Sequence, residues 1–230
     1  MTKPSPRDVE WIMRGMARAM TGLELPAVEK IAEASREDAF RVLIATALSA
    51  RTQDATTAAA SARLFRRAPT ARRVAALPVA AIEQLIYPVS FYRTKARHVK
   101  AACEALLARF GGRVPGTMEE LLTLPGVGRK TANLVLILGF KSLRNICVDT
   151  HVHRISNRLG WVRTTTPEKT EQALYERVPA RWWPYLNLHL VTWGQHVCRP
   201  THPRCGDCAV AARCARAGVT NVGASRAAPA

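Results

Sequence analysis

Four cysteines crowd the C-terminal part of the chain: Cys198, Cys205, Cys208 and Cys214, separated by six, two and five residues. Four thiolates within 17 residues can hold a four-coordinate soft metal site. A structural zinc ion and an iron–sulfur cluster both accept four thiolates, so ligand type alone leaves both open. Zinc ribbons usually carry two C-x2-C knuckles. Only Cys205 and Cys208 form one here, and this spacing favours iron–sulfur. Cys103 and Cys147 sit in apolar segments and read as core thiols rather than ligands.

A second group is LPGVGRKTA at Leu124–Ala132. Pro125 presets a turn, and Gly126 and Gly128 permit positive φ. A turn of this kind exposes backbone N–H groups and then opens a helix, and both features favour an anion such as a DNA phosphate. Lys130 follows in the first helical turn, where it opposes the helix dipole and adds nothing to helix stability. A positive local field and partial burial favour its neutral form. A neutral amine can attack an electrophilic sugar carbon and form a Schiff base. The plain alternative is a solvated or phosphate-contacting lysine. The chain carries 27 arginines against seven lysines, so a lysine at this position stands out slightly.

The third group is NICVDTHVHR, where Asp149 lies between an apolar run and a helical pattern. An aspartate there serves as an N-cap. The functional alternative is a carboxylate that stabilises a cationic sugar and deprotonates the amine. His151 and His153 read as structural or DNA-facing.

Helical periodicity runs through almost the whole chain, and no useful stretch alternates with period 2, which predicts an all-α protein. Ser5-Pro6-x-Asp8 opens the first helix and Ser35-Arg36-Glu37-Asp38 the second, which runs through FRVLIATAL. Further helices are predicted at about 53–66, 70–77, 79–86 and 94–110, the last ending at Gly111-Gly112. Thr117-x-x-Glu120 is a capping box for a short helix before the glycine turn. More helices follow at about 149–159, 167–178 and 181–196. Residues 1–3 and the tail after Gly218 read as disordered.

The formal net charge is +17, from 34 basic and 17 acidic residues. A charge of this size repels itself unless a polyanion offsets it, which points to nucleic acid. Charges at Arg7, Asp8 and Glu10 interrupt any signal-peptide core. The longest uncharged apolar stretch, Thr131–Phe140, is too short to span a bilayer. These features predict no membrane association and a cytoplasmic, nucleoid-associated protein with reduced thiols.

Taken together, LIATALSARTQD at Leu43–Asp54, FYRTKA at Phe91–Ala96, LPGVGRKTAN at Leu124–Asn133, VDTHVHR at Val148–Arg154 and the cysteine spacing resemble endonuclease III, within the helix-hairpin-helix DNA glycosylases. The resemblance implies a two-lobed fold. A six-helix barrel with the hairpin would span 33–143, and an iron–sulfur lobe would combine 1–32 with 144–218, leaving 219–230 as a tail. It implies a 4Fe–4S cluster on Cys198, Cys205, Cys208 and Cys214. It further implies a bifunctional glycosylase and abasic-site lyase acting as a monomer on oxidised pyrimidines in duplex DNA, in a cleft between lobes. Lys130 would be the Schiff-base nucleophile and Asp149 the assisting carboxylate. Gly126, Gly128, Arg129, Arg199 and Arg204 would contact DNA, and Arg213 would add to the phosphate clamp.

An everted nucleotide leaves a gap. At the family's gap-filling positions this chain carries Arg51, followed by Gln53, and Phe91. Arg51 stands where glutamine is more usual, Ser90 where glycine is common, and the spacing from Lys130 to Asp149 is one residue longer than expected. These departures bear on the lesion and opposing base. Two other readings compete. An adenine-mismatch glycosylase of the same fold usually lacks the hairpin lysine and carries a further C-terminal domain. A non-catalytic iron–sulfur DNA-binding protein would have no use for Lys130 and Asp149.

Overall fold

The computed structural model describes residues 5–222, and every regular element among them is helical. The chain forms two compact units, one from residues 26–142 and one from 1–25 with 143–230.

The continuous unit holds α2 (Ala27–Ala34), α3 (Ala39–Ser49), α4 (Asp54–Arg67), α5 (Ala71–Ala75), α6 (Val79–Ile86), α7 (Tyr92–Phe110), α8 (Met118–Leu122) and α9 (Arg129–Phe140). The discontinuous unit holds α1 (Pro6–Ala19), α10 (Thr150–Arg158), α11 (Pro167–Arg177) and α12 (Leu186–His196). A 3-10 segment at Ala180–Tyr185 precedes α12, where one helix was expected from 181; Pro184 lacks the N–H that an α-helical ladder needs.

Local chemistry sets many of the boundaries. Ser5 caps α1, its hydroxyl accepting from Asp8 N–H at 3.1 Å. Thr117 caps α8 in the same way from Glu120 N–H at 3.3 Å. Gly111 ends α7 with φ 60°. α2 was not foreseen. Ser35 reads as an N-cap, but it is the C-cap of α2; Arg36 and Glu37 then turn through positive φ, and Asp38 caps α3. The first amide of α2 is satisfied from a distance, Ala27 N–H donating to Asp54 Oδ2 at 3.1 Å. Because α2 packs on α3 and α4, the boundary expected at residue 33 lies at 26. The proposed tail at 219–230 lies, from residue 223 onward, outside the described residues.

Within the continuous unit α3 is buried through Val42, Leu43, Ile44, Ala45 and Leu48, and packs along α9. Each such large apolar side chain contributes about 1.5–3 kcal/mol. Gly139 permits the approach of these two helices, since a Cβ there would lie 2.9 Å from Ala39 Cα. The other core gathers Val9, Ile12, Met13 and Met16 of α1 with Ile155, Trp161, Leu174, Leu190 and Trp193. Cys103 and Cys147 are fully buried, one in each unit, as core thiols; burial pushes the Cys103 thiol up to about 12.

Candidate active site and cysteine centre

The glycine turn joins α8 to α9 and is anchored by buried Leu121 and Leu124. Gly126 has φ +75°, and a Cβ on it would lie 2.7 Å from His98 Cβ on α7. Both backbone conformation and space therefore demand glycine. Gly126→Ala is expected to cost about 1–3 kcal/mol in chemical denaturation. Gly128 differs from expectation. Its φ is −99°, an extended conformation open to any residue, and a Cβ there would meet nothing within 4 Å. Its bareness does something else: as N-cap of α9 it brings no side chain to the first helical amides, so the turn presents backbone to solvent. Gly126, Gly128 and Arg129 are all exposed, and Lys130 is half-buried in the first turn of α9.

The same unit carries a second construction that the sequence showed only in part. Arg51 and Phe91 are exposed and both adopt left-handed backbone, each with φ 56°. The Arg51 guanidinium stacks over the Phe91 ring, 5.8 Å from its centroid. Phe91 is 62% exposed, so it is no core residue. Its neighbour Tyr92 is half-buried and meets Tyr87 edge to face. Gln53 is the exposed N-cap residue of α4, and its side chain takes no part in the cap.

Lys95 holds these loops. Its ammonium donates to the Leu48 and Ala50 carbonyls at 2.7 and 2.6 Å and to Thr52 Oγ1 at 3.2 Å. Thr52 Oγ1 also accepts from Ser90 N–H at 3.2 Å, which ties the Arg51 loop to the Phe91 loop. Burial, and secondarily the nearby charge of Lys130, lowers the Lys95 ammonium to about 8. Lys95 lies in the FYRTKA stretch, and its carbonyl partners some 45 residues earlier were the missing information. Lys95→Met strands those carbonyls. It is expected to lower stability by about 1–3 kcal/mol and to increase protease cleavage within 49–53.

In the other unit Asp149 is the N-cap of α10. Its Oδ1 accepts from His151 N–H at 2.8 Å and Val152 N–H at 2.9 Å. Both bonds use one oxygen, and the residue is half-buried. The structural alternative raised by the sequence is therefore real, and it leaves Oδ2 outside the cap. Both histidines are half-buried and make side-chain contacts within the unit. His153 Nδ1 pairs with Thr170 Oγ1 at 2.6 Å, and His151 Nδ1 lies 3.2 Å from Arg154 Nη2.

Cys198, Cys205, Cys208 and Cys214 are half-buried and line one cavity walled by Met16, Ile155, Leu159, Trp193 and Val210. Cys198 and Cys214 lie at opposite ends of the motif, yet both reach Arg158. Among the described residues no three His, Cys, Asp or Glu side chains converge closely enough to hold one ion. Four thiols lining one cavity fit a group held by four cysteines. Burial, reinforced by neighbouring thiols, raises Cys208 and Cys214 above the usual thiol range, so metal loading must displace protons. Of the interleaved arginines, Arg199 is exposed and Arg204 half-buried on the cavity wall. Arg213 is engaged otherwise: it pairs with Asp8 at 2.9 Å and stacks on Trp11 at 5.0 Å.

Known proteins share this fold. Residues 44–180 match the HhH-GPD superfamily of base excision DNA repair proteins. Endonuclease III of Thermotoga maritima is 48% identical over 177 residues, covering 77% of this chain and 83% of the relative. Endonuclease III-like protein 1 of Gallus gallus is 43% identical over 171 residues, covering 74% of this chain and 61% of that longer protein. A solved non-covalent endonuclease III–DNA complex is similar with a TM-score of 0.81 at 32% identity, covering 92% of this chain and 95% of that one. A trapped endonuclease III–DNA covalent intermediate gives 0.80 at 31% identity, with 92% and 96% covered. A glycine turn feeding a lysine-bearing helix, a capping aspartate and a four-cysteine loop thus occur together in a chain that belongs to the endonuclease III family of the HhH-GPD base excision repair proteins.

Proposed function

We propose that this DNA glycosylase and abasic-site lyase removes oxidised pyrimidines from duplex DNA, with Lys130 as nucleophile and Asp149 as the assisting carboxylate. The observation that carries the reading is Lys130 in the first turn of α9, directly behind a glycine turn that brings no capping side chain. Backbone amides there suit a phosphate, and a half-buried amine beside them suits attack on the adjoining sugar.

Base loss needs no co-reactant, and water hydrolyses the final imine to free Lys130. The neutral Nζ forms a bond to C1′ as the bond from C1′ to the base breaks, and the base departs with the electron pair. Asp149 offsets positive charge on the sugar and takes the proton that the amine sheds. Ring opening gives a C1′ Schiff base. Loss of a C2′ proton then expels the 3′ phosphate by β-elimination. A relative of this chain was trapped as a covalent intermediate with DNA, which supports the covalent route. Arg51, Gln53 and Phe91 contact DNA at the vacated position, and Gly126, Gly128, Arg129, Arg199 and Arg204 contact its backbone. The net charge of +17 supports a salt-dependent grip on phosphates.

Cys198, Cys205, Cys208 and Cys214 hold a 4Fe–4S cluster that braces the segment between them. When bound, the cluster supplies structural cross-linking. No helix among the described residues is long and apolar enough to cross a membrane. A genomic substrate places the enzyme with the DNA, in the cytoplasm at the nucleoid.

Duplexes carrying an oxidised pyrimidine, and duplexes with adenine opposite oxidised guanine, test the reading. Base release with strand nicking is expected on the first substrate alone. Release of adenine favours the mismatch-type activity. Tight binding with no base release and no borohydride-trapped adduct favours a non-catalytic DNA-binding protein.

A further inference from the structure

Arg158 closes α10, the helix that Asp149 begins. Its guanidinium donates from Nη1 to Cys198 Sγ at 3.5 Å and to the Arg199 carbonyl at 2.6 Å. The second arm, Nη2, donates to the Pro200 carbonyl at 2.6 Å. The Arg158 carbonyl accepts from Ala217 N–H at 3.0 Å and lies 3.6 Å from Cys214 Sγ. One turn earlier, Arg154 Nη2 donates to the Cys198 carbonyl at 2.8 Å. One residue therefore fastens the first cysteine of the motif by its side chain and the segment after the last cysteine by its backbone. A planar fork suits this task, because its two arms reach consecutive carbonyls and a sulfur together.

Ligation changes these contacts unequally. A ligating Cys214 has no thiol proton to share, so the Arg158 carbonyl keeps only the Ala217 bond. A ligating Cys198 is a thiolate, so the N–H that reaches it becomes a charge-assisted bond and strengthens. A cationic donor on a ligand sulfur favours the more electron-rich state of an iron–sulfur group.

We propose that Arg158 is a positioning residue for the cysteine centre: it locks residues 198–200 to the end of α10, and its bond to Cys198 Sγ raises the reduction potential of the bound cluster. This rests on reading the four cysteines as iron–sulfur ligands.

The test compares the wild-type holoenzyme with Arg158→Met and Arg158→Lys. Three quantities are read: iron per chain, the rate at which the visible absorption bleaches under a chelator, and the midpoint potential by film voltammetry. Arg158→Met is expected to lose its cluster about 10-fold faster and to shift to a more negative potential. Arg158→Lys keeps a cation but not the fork, so its potential returns toward wild type while its cluster still bleaches faster. If wild type holds iron and both variants match it in bleaching and potential, the inference is overturned and the ligand assignment survives. If wild type holds no iron, the ligand assignment falls and takes the inference with it. Should Arg158→Met fail to fold, Arg158→Lys decides alone: bleaching at the wild-type rate overturns the inference.

Discussion

Lys130→Gln is expected to abolish the borohydride-trapped adduct on abasic DNA and to lower strand nicking by roughly three orders of magnitude or more, the scale for removing a covalent nucleophile. Affinity for the same duplex is expected to hold within a few-fold. The backbone amides of the turn survive the substitution, and one uncharged side chain removes at most one phosphate contact. Stability should also hold. The lysine is half-buried in the first turn of α9, where its charge opposes the helix dipole, and glutamine keeps a polar end group there. Lys95→Arg serves as control, because it keeps a cation on the Leu48 and Ala50 carbonyls. Persistence of the adduct in Lys130→Gln would move the nucleophile elsewhere.

Asp149 calls for two substitutions, because it performs two jobs. Asparagine is as good an N-cap as aspartate and retains an oxygen for the His151 and Val152 amides. Asp149→Asn should therefore unfold within about 0.5 kcal/mol of wild type while base removal falls by about 10²–10⁴-fold. Asp149→Ala loses the cap as well and should cost a further ~1 kcal/mol. Measured together, single-turnover base release and denaturation separate the jobs. Wild-type release rates in Asp149→Asn would leave the residue as a cap and nothing more.

What the sequence disclosed followed from how local the cause was. The caps at Ser5 and Thr117 and the glycine end at Gly111 depend on neighbours a few residues away, and they stand where composition places them. α2 escaped because its first amide is satisfied by Asp54, and because Ser35 closes one helix while resembling the opening of the next. Gly128 misled for a related reason. Its value lies in the lack of a side chain over the first amides of α9 rather than in an unusual φ. Lys130, Asp149 and the four cysteines were legible as residue types at telling spacings. The bonds that Lys95 and Arg158 make to carbonyls about 45 residues away were not, since a carbonyl has no signature in a sequence. The stack of Arg51 on Phe91 belongs with these: both residues were singled out, but their pairing needs two loops brought together.

The broken continuity of the cysteine-bearing unit has a consequence for biosynthesis. Val9, Ile12, Met13 and Met16 leave the ribosome early, yet the residues that cover them begin beyond position 143. More than a hundred residues, an uninterrupted unit with its own core, are made in between, a delay on the order of ten seconds. During that interval the first helix must wait with a bare methionine-rich stripe, open to chaperones, while the middle of the chain folds ahead of both its ends.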